Sequence, residues 1–153
     1  ERGAGQAKRP KRPDKEDGIR RSQRLLLTWL IETPELFDKI RGIITADDFV
    51  EHLYHQVAQM VFDGHREGNL NPAAILSRFI NDEDQYKEVA ALFNASLKES
   101  LNNEEQKKAF SETVMKVRKN SLDVASRNAK DITQLQEIIR QQAALKQLHI
   151  SLD

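Results

Sequence analysis

The chain has 153 residues, with 24 Lys or Arg against 24 Asp or Glu, 39% apolar residues and no cysteine. This length suits one domain, or one small domain with an appendage, around a single hydrophobic core. The lack of cysteine excludes a disulfide scaffold, a zinc finger, a redox dithiol and a cysteine nucleophile. No stretch approaches the roughly 18 apolar residues of a membrane helix, and nothing resembles a secretory leader, so we expect a cytoplasmic protein.

Charge is unevenly distributed along the chain. The net charge is +4 over residues 1–21, −6 over residues 22–103 and +2 over residues 104–153. The acidic middle disfavours nucleic acid as a partner of that part. Because the sequence opens on Glu1 rather than methionine, we expect a piece of a longer protein.

The first seventeen residues contain no apolar residue larger than Ala7. Such a segment cannot bury enough surface to offset the entropy cost of ordering, so we predict a flexible basic linker. A DNA-binding arm is the alternative. Segments that bind single-stranded DNA usually interleave aromatic residues for base stacking, and this segment has none.

From Gly18 onward the apolar residues follow helical rather than alternating spacing, so the predicted fold class is all-α. Around Trp29 they cover nearly the whole circumference of a helix, which predicts a central buried helix with Trp29 in the core. Thr33-Pro34 and Asn71-Pro72 each place a cap residue before proline and should start short helices. A capping box from Thr45 to Asp48 should start another helix. The inward positions of these later helices are Leu36, Phe37, Ile40, Phe49, Leu53, Val57, Met60, Val61, Ile75, Leu76, Phe79, Ile80, Tyr86, Val89, Ala90, Leu92 and Phe93.

The apolar spacing in the final third of the chain predicts a long helix that leads into a terminal helical hairpin. The long helix should start near Glu104, with acids in its first turn and basic residues later, as the helix dipole favours. A polar turn near Asn128, with Asp131 as cap, precedes a narrow apolar seam like that of a coiled coil. The predicted domains are a flexible basic linker at residues 1–17, a helical bundle at 18–120 and a C-terminal helical hairpin at 121–153.

The sequence contains no motif for nucleotide binding or catalysis. GxxxxGK[ST], GxGxxG and Gly-x-Ser-x-Gly patterns are all missing. Asp47 and Asp48 would point about 100° apart on a helix and make a poor catalytic pair. His52 and His55 could share a metal face, yet no second helix supplies carboxylates at the required spacing. We therefore expect no catalytic, cofactor-binding or metal site in this fragment.

Residues 22–65 resemble a known family. The similarity is to the helical domain shared by two bacterial replication proteins, the C-terminal helicase-binding domain of DnaG-type primases and the N-terminal domain of DnaB-type replicative helicases. Length and helix order agree with this family over residues 22–153. The segments that carry the resemblance are Arg24 to Leu27, Ile31 to Phe37, Asp47 to Phe49 and His52 to Phe62.

The basic linker ahead of the helical domain favours the primase over the helicase. The resemblance then implies a non-catalytic helicase-interaction domain, whose parent protein is a DNA primase, a DNA-directed RNA polymerase of the bacterial replisome. In this family the hairpin docks on the N-terminal collar of the helicase hexamer, and the bundle influences helicase activity and primer synthesis. Two alternatives stay open: the helicase's own N-terminal domain, and a helical nucleic-acid-binding module that uses the basic flanks.

The hairpin is the expected contact site, because two packed helices cannot bury all of its apolar positions. We expect a monomeric fragment that contacts neither membrane nor nucleic acid directly, with a hairpin-exchanged dimer as an alternative. The residues assigned to helicase contact are Leu135, Ile138, Ile139, Leu145 and Leu148, with Arg140 and Lys146 as rim charges.

Overall fold

A computed structural model describes residues 14–94, 102–148 and 150. Over these residues the protein is all-α, which confirms the predicted bundle, long helix and terminal hairpin, and none of the described helices is long and apolar enough to cross a membrane. The α-helices are α1 (Asp14–Glu32), α2 (His52–Arg66), α3 (Pro72–Ser77), α4 (Glu83–Asn94), α5 (Asn103–Arg127) and α6 (Ile132–Lys146), and two 3-10 helices span Pro34–Lys39 and Ala46–Asp48.

The central helix of the bundle is α1, as predicted. It packs against α5, α4, α2 and the first 3-10 helix. Leu26 and Leu30 are fully buried, and Trp29 lies in the core, where its ring meets Phe110 of α5 edge-on at 6.0 Å between centroids. A helix with neighbours on most of its sides needs apolar residues around its circumference, which explains the sequence pattern.

The start of α1 differs from the prediction. The helix begins at Asp14, inside the segment predicted as linker, and residues 1–13 lie outside the described part of the chain. The expected boundary at Gly18 was wrong because a single glycine inside a helix costs only about 1 kcal/mol relative to alanine. The apolar turns that follow outweigh this cost.

Proline marks the starts of two short helices, as predicted. Pro34 begins a 3-10 helix, without a side-chain cap from Thr33. At the start of α3, the side-chain oxygen of Asn71 accepts a hydrogen bond from the backbone N–H of Ala74 at 3.2 Å. The prediction for Ile80 was wrong, since α3 ends before it and the turn that follows leaves this residue 67% exposed.

The capping box at Thr45 starts a single 3-10 turn and not α2, which corrects the prediction. Phe49 is extended, and its ring lies in the core at 1% exposure. The α-helix begins only at His52, where the Glu51 carboxylate accepts a hydrogen bond from the backbone N–H of Leu53 at 3.1 Å. The extended backbone at Phe49, between the 3-10 turn and α2, therefore allows its ring to pack in the core.

The long helix and the terminal helix form the predicted hairpin. After α5 a turn leads to Asp131, whose carboxylate accepts a hydrogen bond from the backbone N–H of Gln134 at 2.8 Å and caps α6. α6 then packs back along the second half of α5. Beyond α6, Leu148 packs against the bundle core and Ile150 is buried in it. The chain thus returns to the bundle after the hairpin.

Candidate partner-binding site

None of the residues of α6, all of which the structure describes, is buried. Ile132 is 69% exposed and Ile139 is 52% exposed, while Leu135 is half-buried and Ala143 is exposed. Steps of three and four residues place these side chains on one face of a helix. We call Ile132, Leu135, Ile139 and Ala143 the outer stripe.

The other apolar residues assigned to the site do not lie on the outer stripe. Leu145 is half-buried and lies on the side of α6 that faces α5. Leu148, just beyond α6, packs against the bundle core. Ile138 is also half-buried and lies seven residues before Leu145, which places it on the same helix face. Of the apolar residues assigned to the site, Leu135 and Ile139 therefore lie on the outer stripe, while Ile138 and Leu145 are half-buried on another face of α6 and Leu148 packs against the bundle core.

Both predicted rim charges are exposed. The Arg140 side chain pairs with Glu137 one turn earlier, with 3.1 Å between its Nε and a carboxylate oxygen. The hydrogen bond from Arg140 lowers the pKa of Glu137, and the same bond raises the pKa of Arg140. A partner's acid would compete with Glu137 for Arg140. Lys146 lies in the last turn of α6.

A buried carboxylate fixes the base of the hairpin. Asp48 is 4% exposed and accepts hydrogen bonds from Arg118 Nη1 at 2.7 Å, Ser121 Oγ at 2.7 Å and the backbone N–H of Thr45 at 2.8 Å. The second terminal nitrogen of Arg118 donates to the side-chain oxygen of Gln141 on α6 at 3.1 Å. One guanidinium thus links the bundle, α5 and α6.

The two members of each pair named above, His52 with His55 and Asp47 with Asp48, lie in different surroundings. His55 Nδ1 lies 3.0 Å from the backbone oxygen of Ala46, whereas His52 contacts the side chain of Gln56. Asp47 is exposed while its neighbour Asp48 is buried. Within the described residues no group of three or more potential metal ligands comes together.

A second polar cluster joins α1, α2 and α4. Arg20 bridges Glu51, at 3.0 Å, and Glu88, and its guanidinium lies over the ring of Tyr54. The Tyr54 hydroxyl donates to the Glu88 carboxylate at 2.6 Å. Burial and this hydrogen bond raise the pKa of Tyr54 to about 12. The cluster ties three helices together.

The residues assigned to helicase contact from the sequence do not include Ile132, although it belongs to the apolar seam, or Ala143. The hydrogen bonds of the buried Asp48 were not predicted either. Ile132 and Ala143 could have been found, because they continue the three-and-four spacing of Leu135 and Ile139. No local sequence pattern indicates the contact between Asp48 and Arg118, since the two residues are 70 positions apart.

The chain matches no protein-family model, no curated protein and no solved structure. The fold and the site define it as an all-α domain whose terminal hairpin carries an exposed apolar helix face.

Proposed function

We propose that the chain is the helicase-interaction domain of a bacterial DnaG-type primase. Its hairpin would dock on the N-terminal collar of a DnaB-type replicative helicase, bring the primase to the replication fork and modulate helicase activity and primer synthesis. This role is non-catalytic, needs no cofactor and belongs to the cytoplasmic replisome. The observation that carries the proposal is the outer stripe of α6, to which the resemblance of residues 22–65 adds the identity of the partner.

The outer stripe offers enough apolar surface for a specific contact. Fully burying an isoleucine side chain contributes about 1.5–3 kcal/mol. Ile132 and Ile139 are 69% and 52% exposed, so a partner that covers both would gain about 2–3.5 kcal/mol from them. This gain corresponds to a change in affinity of about 30- to 400-fold, which is the scale of the few central residues that dominate an interface.

Light scattering of the fragment, alone and mixed with the cognate helicase hexamer, tests the proposal. We expect a monomer that joins the hexamer, and a double variant, Ile132→Asp with Ile139→Asp, that does not. Ile80→Asp is the matched control, because Ile80 is similarly exposed at 67% but lies on the turn after α3. The control should bind like the wild type.

Three results would overturn the proposal in different ways. A wild-type fragment that stays separate from the hexamer would remove the helicase as partner. A fragment that forms its own ring and captures primase would make it the helicase's N-terminal domain. Affinity for single-stranded DNA that falls steeply with salt would make it a nucleic-acid-binding module.

A further inference from the structure

A groove of about 430 Å³ runs between α5 and α6. Met115 of α5 and Leu145 of α6, both half-buried, give it an apolar floor. Three exposed lysines, Lys116 and Lys119 of α5 and Lys146 of α6, stand at its rim. The groove therefore combines an apolar base with amino groups on both sides.

The groove carries an excess of positive charge. Among the described residues that line it, Asp123 is the one acid. Its carboxylate is already engaged, by Lys119 at 3.0 Å and by the side-chain amide of Gln142 at 3.2 Å. The charges of Lys116 and Lys146 are therefore not balanced by any acid among these lining residues.

The groove is continuous with the outer stripe. Gln142 and Lys146 follow Leu135 and Ile139 along α6 at helical spacing, so the groove opens beside these apolar side chains. A partner that covers Ile139 would lie one turn from Gln142, which lines the groove.

We propose that the groove receives an acidic, amphipathic helix of the helicase collar, so that the partner contacts α5 as well as α6. This inference rests on the proposed function. An amphipathic helix places apolar anchors on the floor and its flanking Asp or Glu beside the lysines, which supplies both burial and charge complementarity. A β-strand would need a sheet edge for its main-chain hydrogen bonds, and the described part of this chain has no sheet.

The test is the affinity of the fragment for the cognate helicase hexamer, measured by calorimetry at low and high salt. We expect the double variant Lys116→Glu with Lys146→Glu to bind about tenfold more weakly at low salt, since two exposed ion pairs are lost and repulsion is added. The difference should shrink at about 1 M salt, where screening is strong. Lys108→Glu is the matched control and should bind like the wild type, because Lys108 is an exposed lysine of α5 about 12 Å along the helix from Lys116.

A second double variant, Lys116→Gln with Lys146→Gln, removes the charges without adding acids and should lose several-fold in affinity. Circular dichroism checks that each variant keeps its helix content. If both lysine variants bind like the wild type while the outer-stripe variant does not bind, the groove inference is refuted and the proposed function stands. If the wild-type fragment does not bind the hexamer, the proposed function fails, and the groove inference fails with it.

Discussion

Replacing Asp48 with alanine should remove a large part of the protein's stability. The carboxylate is 4% exposed and accepts three hydrogen bonds, of which those from Arg118 and Ser121 are both 2.7 Å long. Removing one partner of a buried ion pair costs about 3–5 kcal/mol. Because the Arg118 side chain is 26% exposed and gains water when the carboxylate is lost, we expect a cost near the lower end, about 3 kcal/mol.

Urea denaturation followed by far-UV circular dichroism measures this change. Asp38→Ala provides the control, because Asp38 also pairs with an arginine, Arg41 at 2.8 Å, but both side chains are mostly exposed. An exposed pair of this kind contributes about 0.5 kcal/mol or less. A loss below about 1 kcal/mol for Asp48→Ala would refute the anchoring role derived from burial and hydrogen bonding. A double-mutant cycle with Arg118→Met should give a coupling energy of at least about 1 kcal/mol.

The remaining predictions concern Tyr54 and two glycines. Because burial and the hydrogen bond to Glu88 raise the pKa of Tyr54 from 10.0 to about 12, its contribution to stability is complete below pH ~10 and is lost as the pH rises to ~12. In a denaturation series across this range, Tyr54→Phe should lose less stability than the wild type, and parallel curves would contradict the assignment. Gly18→Ala should raise the free energy of unfolding by about 0.5–1 kcal/mol, because nothing lies within 4 Å of the added Cβ. Gly64→Ala should instead lower the free energy of unfolding, since the added Cβ would lie 3.1 Å from the Cα of Leu70. If both glycine variants shift the urea midpoint equally, the close approach at Gly64 has no cost.

Features of the fold that depend on neighbouring residues were predictable from the sequence. The caps at Asn71 and Asp131, the turn near Asn128 and the hairpin itself follow from spacing and turn chemistry within a few positions. The same local signals identified Leu135 and Ile139 as apolar positions of α6.

Features that depend on distant contacts were not predictable. α2 starts at His52 because Phe49 enters the core in an extended conformation, and no pattern around Thr45 encodes that packing. The orientation of the hairpin depends on Asp48 and Arg118, which only tertiary structure brings together. Sequence periodicity identifies an apolar face but not the neighbour that covers it, so it could not separate the outer stripe from the residues that hold α6 in place.

The hydrogen bonds that link Asp48, Arg118 and Gln141 explain how α6 keeps its position while one of its apolar faces is exposed. A helix without a buried residue has little core packing to hold it. The position of α6 therefore depends on two hydrogen bonds, one that Gln141 accepts from Arg118 and one that Gln142 donates to Asp123, and on the packing of Leu148 and Ile150 beyond its end. These contacts lie on the side that faces α5 and the bundle. Elements with few buried contacts open locally at lower free energy than the core, and a partner that binds only the form in which α6 packs against α5 would stabilise that form. If the proposed docking is correct, loss of Asp48 should weaken partner binding by shifting the hairpin, whereas changes at Ile132 and Ile139 should act on the proposed contact itself.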